Sequence, residues 1–261
     1  MPSQSIQIVK DAAELAQQAA FMIRQIILKN KEDKKGCSIV LAGGSTPEKT
    51  YGVLAEPGFI LPDQWDHVSF FMGDERLVPV EDPRSNQGMV QRTLLSKIPV
   101  RASQVHLIDT SFRTALEAAH AYEECLKEVF PAEQANHYPH FDLVLLGLGD
   151  DGHTASLFPN AAALDSTTWV TASPAGVLPP PVDRITLTLP VLNAANTVLF
   201  LVAGQNKATI VPEILFVQGN SRKYPAALVG QTVGHCAWLL DQAAAANLDM
   251  DRINSLPHSK N

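Results

Sequence analysis

The chain has 261 residues, 46% hydrophobic and 18% charged, which suits one large α/β domain or two small ones and excludes a disordered chain. Twenty Lys and Arg against 27 Asp and Glu leave a formal net charge of −7, which argues against nucleic acid or an anionic membrane as main partner but allows a local cationic pocket. No apolar run reaches membrane-spanning length, no secretory signal is visible, and the three scattered cysteines (Cys37, Cys125, Cys236) have no metal or redox spacing, so a cytoplasmic setting is expected.

In chain order, Ile6 and Ile8 alternate with polar residues as in a short strand, and Asp11 with Glu14 opens a helix. Residues 38–42 predict a buried strand running into Gly43-Gly44-Ser45-Thr46, with Thr46 as cap and Pro47 as first residue of the next helix. Residues 68–72 predict a strand ending in Gly73-Asp74-Glu75-Arg76. Ser85-Asn86 starts a helix through Met89 and Leu95, and a longer helix is expected over 113–130. Strands follow at 143–146, 169–172, 185–187, 197–203 and 236–240, with a helix over 207–216 and an alanine-rich one after Asp241. The proline-rich stretch at 178–181 reads as an ordered loop or cap, and the tail from about 255 as frayed.

No repeat or linker divides the chain, so residues 1–261 are expected to form one domain. Apolar strands alternating with helices predict a mostly parallel sheet covered on both sides. Ligands of such sheets bind beyond the carboxyl ends of the strands, so 43–46, 73–76, 147–153 and 204–207 can share one crevice.

The run Gly147-Leu148-Gly149-Asp150-Asp151-Gly152 spells G-x-G-x-x-G after a strand, the dinucleotide fingerprint, which alone is a weak signal. Two carboxylates beside a pyrophosphate oppose that reading, as does the lack of an acidic residue after the next strand. The alternative is a catalytic loop in which Asp151 orients His153 as a general base. A plainer possibility is that Asp151 caps the turn and His153 is an ordinary surface residue.

Six segments in order, LAGGSTPEKTY (41–51), FFMGDERLVP (70–79), SNQGM (85–89), LLGLGDDGHTASLFP (145–159), RITLTLPVLN (184–193) and VAGQNKA (202–208), closely resemble the glucosamine-6-phosphate isomerase/6-phosphogluconolactonase family, over roughly residues 5–245. The resemblance implies a Rossmann-like three-layer α/β/α domain, no cofactor, and hydrolysis of the δ-lactone of 6-phosphogluconate in the oxidative pentose phosphate pathway. Relatives on the isomerase branch continue from Asp-Gly-His towards a Glu that partners the His, and that position is Phe158 here, which favours the lactonase side. A non-catalytic sugar-phosphate sensor is a further alternative. Asp150 departs from the common pattern, and the expected consequence is loop stiffness rather than chemistry.

A phosphorylated lactone needs anion donors, a base and an oxyanion stabiliser. Gly43, Gly44, Ser45 and Thr46 offer N–H groups at a positive helix end. Arg76, Arg184 and Lys207 lie in matching segments and are candidates for phosphate or oxyanion, with solvated surface cations as the bland reading. His153 with Asp151 is the candidate base pair, and Arg76 joins them as catalytic. No G-x-S-x-G elbow is present, so a covalent acyl-enzyme is not expected. His137 and His140 form H-x-x-H without a third ligand, and no metal is expected. The expected partner is a small sugar-phosphate lactone, and a monomer is compatible with a sequence that does not fix the oligomeric state.

Overall fold

The computed structural model describes residues 3–131, 138–174, 181–216, 222–230 and 234–254. The proline-rich stretch falls largely outside them, as do His137 and the tail from 255. The strands, in chain order, are β1 (Ser3–Val9), β2 (Cys37–Leu41), β3 (Val68–Met72), β4 (Asp74–Arg76), β5 (Val105–His106), β6 (Leu143–Leu146), β7 (Val170–Ser173), β8 (Arg184–Leu187), β9 (Thr197–Val202) and β10 (His235–Asp241). The main helices are α1 (Ala12–Glu32), α2 (Ser45–Leu54), α3 (Asn86–Val90), α4 (Ala115–Val129), α5 (Leu189–Ala194), α6 (Ile210–Leu215) and α7 (Met250–Asn254).

Seven strands form one sheet, in the order β1-β10-β9-β6-β2-β3-β5, and every neighbouring pair is parallel. All four residues of β6 are buried, and side chains alternate between faces, so both faces are covered. This is the expected layered α/β architecture. From β2 the chain moves through β3 to β5 at one edge. From β6 it moves through β9 and β10 towards the other. The directions diverge between β2 and β6, the switch point at which such sheets open a crevice.

The strands expected near 169–172 and 185–187 do form, but outside this sheet. With β4 they make a separate antiparallel sheet, β4-β8-β7. The turn Gly73 lets the chain pass from β3 directly into β4, and its carbonyl accepts from Leu187 N at 2.9 Å, fastening the small sheet to the end of the large one.

Asp11 caps α1 as expected, accepting from Ala13 N and Glu14 N at 3.0 Å, while Glu14 accepts from Lys10 N at 2.7 Å. The helix expected over 207–216 is instead a tight turn at Gln205–Lys207 followed by α6. Pro212 has no N–H, so it is accommodated in the first turn of a helix rather than in its interior. The alanine-rich helix after Asp241 is also absent. The Asp241 carboxylate accepts from both Ala244 N and Gly204 N, residues 242–247 form turns, and the short α7 begins at Met250. Among the described residues no helix is long and apolar enough to cross a membrane.

Candidate active site

The carboxyl ends of β9, β6, β2 and β3 lie side by side, and the loops leaving them enclose a cleft of about 340 Å³. Gly43–Thr46, Asp74, Arg76, His153, Arg184 and Lys207 all line it. The segments expected to face one crevice therefore do so, and every candidate site residue except Asp151 forms its wall. Asp151 stands directly behind His153.

The glycines of the 147–153 loop shape a nest for the histidine. Gly149 N donates to His153 O at 2.8 Å and Gly152 N to Gly149 O at 3.1 Å, a tight reversal that needs Gly152 at φ +84°. A Cβ on Gly149 would lie 2.1 Å from His153 Nδ1, so only glycine lets the ring sit there. His153 Nδ1 is 2.5 Å from Asp151 Oδ1, which also accepts from His153 N at 3.0 Å. Burial pushes the Asp151 carboxyl up, but the hydrogen bonds from the His153 ring and amide outweigh it and hold it below the ordinary carboxylate value. An ionised carboxylate only accepts, so the proton belongs on Nδ1 and Nε2 keeps its lone pair.

Phe158 lies against the other side of the imidazole, with ring centroids 4.7 Å apart. The Arg184 guanidinium stands 5.4 Å over the same phenyl ring. Arg184 also pairs with Arg76 across β8 and β4, and with Ser173 across β8 and β7, so these three share one face of the small sheet. Arg76 Nε, Arg184 Nε and Ser173 Oγ are buried with no hydrogen-bond partner among the described residues. Burial, and then the neighbouring Arg76, press the Arg184 guanidinium below its ordinary value. Two like charges placed directly opposite, with donors left over, are what a bound anion would relieve. Arg76 is held in place by a hydrogen bond from its terminal nitrogen to Arg84 O.

The helix N-terminus at β2 differs from expectation. Gly44, at φ +103°, is the cap and Thr46 is already the second helical residue. Among the described residues no side chain caps this end, so the first N–H groups of α2 remain available to a ligand in the cleft. Gly43 is packed so closely that a Cβ would lie 1.9 Å from Asn86 Oδ1.

The remaining carboxylates are occupied. Glu75 is fully buried and accepts from Arg76 N, Asn86 N, Gln87 N and Ser85 Oγ at 2.6–3.0 Å. Burial pushes its carboxyl above the ordinary value against the pull of these donors. Asp74 accepts from Ser156 Oγ at 2.6 Å and Asn86 Nδ2 at 3.2 Å, tying β4 to the histidine loop. Asp150, expected only to stiffen its loop, instead forms an ion pair with Lys207 and accepts from Asn206 Nδ2 at 2.8 Å. Sequence reasoning did not single out Asn86, Ser156 or Asn206. Asn86 sat within the SNQGM match, but its contacts with Asp74 and Gly43 exist only in three dimensions.

His140 Nδ1 lies 2.7 Å from Ala194 O, and among the described residues no cluster of three His, Cys, Asp or Glu side chains could hold a metal.

Fold and cleft together define an α/β enzyme whose His–Asp pair and cations gather at one cleft at the carboxyl ends of the strands. The chain belongs to the family of glucosamine-6-phosphate isomerases and 6-phosphogluconolactonase, whose model matches residues 10–238. It is 38% identical to the 6-phosphogluconolactonase of Synechocystis sp. over 235 residues, 90% of this chain and 94% of that one. It is 44% identical to the Bos taurus 6-phosphogluconolactonase over 66% of this chain and 65% of that one. The structure of 6-phosphogluconolactonase from Trypanosoma cruzi superposes with a TM-score of 0.83 at 31% identity, covering 95% of this chain and 97% of that one.

Proposed function

We infer that the chain hydrolyses the δ-lactone of 6-phosphogluconate to the open acid, as part of the oxidative pentose phosphate pathway. The observation that carries the catalytic reading is the His153–Asp151 pair, seated by Gly149 in a cleft rimmed by cations. His153 Nε2 removes a proton from water as the oxygen attacks the lactone carbonyl carbon. The carbonyl oxygen becomes an oxyanion beside Arg184, which shares the Phe158 ring with His153, and Arg76, its cross-strand partner. Collapse of the tetrahedral intermediate breaks the bond to the ring oxygen, which leaves as the sugar hydroxyl after taking the proton from His153. Asp151 fixes the tautomer and faces the transient imidazolium.

The phosphate is assigned to the uncapped N-terminus of α2 and Lys207, which also line the cleft. The isomerase alternative would need a Glu at position 158 to partner His153, and the Phe158 ring fills that place. The test is hydrolysis of the phosphorylated lactone against unphosphorylated gluconolactone, corrected for the spontaneous reaction. The phosphorylated substrate should be strongly preferred, and equal turnover of the two would sink the assignment.

A further inference from the structure

We propose that Asp150 is a specificity-determining residue: its carboxylate competes with the substrate's phosphate for Lys207 and sets how tightly phosphate is held. This rests on the assignment of Lys207 to the phosphate.

Asp150 leaves the end of β6 and Lys207 the end of β9, neighbouring strands of the sheet. The Lys207 side chain is only 16% exposed and lines the cleft, whereas that of Asp150 is 66% exposed. One carboxylate oxygen takes both the Lys207 ammonium and the amide of Asn206, two donors from one turn. That turn is itself fixed, because Asp241 accepts from Gly204 N at 3.0 Å. The cation is therefore largely enclosed on an anchored turn, while the acid opposite it is mostly exposed to water. A phosphate arriving at Lys207 meets an anion already there and must displace it or bind beside it at a repulsive distance.

The consequence concerns turnover. Substrate and product carry the same phosphate, so grip on that group stabilises both equally and does nothing for the chemical step. Excess grip slows product departure. A competing carboxylate on an exposed side chain trims this uniform term without touching the histidine or the arginines.

The experiment uses the full-length chain as wild type, Asp150→Asn, Lys207→Ala and the double variant. Affinity for 6-phosphogluconate is measured by calorimetry at low and high salt, and kcat/KM is measured on phosphorylated and unphosphorylated lactone. Asp150→Asn keeps the shape and an oxygen acceptor but removes the charge. It should bind 6-phosphogluconate about 5- to 30-fold tighter at low salt, the range for removing a like charge a few ångströms from an anion in a wet site. The gain should shrink with salt and be largely lost in the Lys207→Ala background, and preference for the phosphorylated lactone should rise. Unchanged or weaker binding by Asp150→Asn, or the same gain without Lys207, overturns the proposal. If Lys207→Ala alone loses no affinity, the phosphate assignment fails and takes the competition with it. If Lys207→Ala weakens binding while Asp150→Asn changes nothing, only the competition fails.

Discussion

Replacing Asp151 by Asn tests whether the carboxylate works through His153. The swap is nearly isosteric, and Oδ1 already accepts from both the ring at 2.5 Å and the backbone at 3.0 Å, so an amide oxygen can take the same place. What changes is charge. A hydrogen bond to an ion is worth about 1.5–3 kcal/mol and a neutral one about 0.5–1.5 kcal/mol. With 48% of the Asp151 side chain exposed, the lower end of the difference applies, about 1 kcal/mol. That predicts a loss of about fivefold in kcat/KM if the amide keeps its oxygen on Nδ1. If the amide turns its NH2 towards the ring, Nδ1 must accept, Nε2 carries the proton, and the base is lost. The penalty then approaches the about 10²–10⁴-fold expected for His153→Ala. The assay is lactone hydrolysis corrected for the uncatalysed reaction, with 6-phosphogluconate affinity as a control for folding and binding. In a His153→Ala background, Asp151→Asn should have almost no further effect. Near-wild-type turnover by His153→Ala, or an undiminished Asp151→Asn loss in that background, would refute the general-base assignment.

Gly149→Ala should cost nearly as much activity as His153→Ala while circular dichroism stays native, because the new Cβ claims the space of His153 Nδ1; retained activity would show that the loop can re-form around it. Glu75→Gln should destabilise the protein by about 1–3 kcal/mol, because an amide NH2 must face a buried donor, and thermal unfolding reads this directly. Since burial raises the Glu75 carboxyl above its unfolded value, the wild type loses stability as pH rises from the unfolded towards the folded value, and Glu75→Gln should lose that component of its pH profile. Arg184→Ala should lower kcat/KM by about 10- to 150-fold if it makes a charged hydrogen bond worth about 1.5–3 kcal/mol, and a loss confined to KM would move it from oxyanion to binding. Phe158→Glu should abolish most lactonase activity without creating isomerase activity, because the new carboxylate lies within reach of Arg184 as well as His153.

The parallel sheet was legible because each central strand is a short, nearly unbroken apolar run, and β3 and β6 fall on the expected residues. The missed strands lack that signature. β5 is two residues long at an edge, and β4 is Asp-Glu-Arg, whose burial is made possible by partners distant in sequence. The crevice followed from strand ends, but the grouping of its charges did not. That Arg76 and Arg184 stand opposite one another is a fact of antiparallel register across 108 positions of chain. The Thr46 cap failed for a related reason: the motif fits a capped helix, but glycine at Gly44 takes the capping position with no side chain, leaving N–H groups for a ligand.

The carboxylates around the cleft explain how an acidic chain can hold an anion. Asp74 is bound to Ser156 and Asn86, Glu75 to three backbone amides and a hydroxyl, Asp151 to His153 and Asp150 to Lys207. Of these, Asp74 and Glu75 are buried supports whose donors are neutral, and they directly precede Arg76 on the short strand β4. They act on Arg184 through the field, favouring the charged guanidinium that burial and Arg76 oppose. The arginine Nε donors meanwhile stay without a partner among the described residues. A neutral substrate would leave those donors unpaired and the two like charges unrelieved. On the proposed mechanism, a lactone whose carbonyl oxygen gains charge only on the way to the tetrahedral intermediate would relieve them most at that point, so the arginine pair would favour the transition state over the ground state.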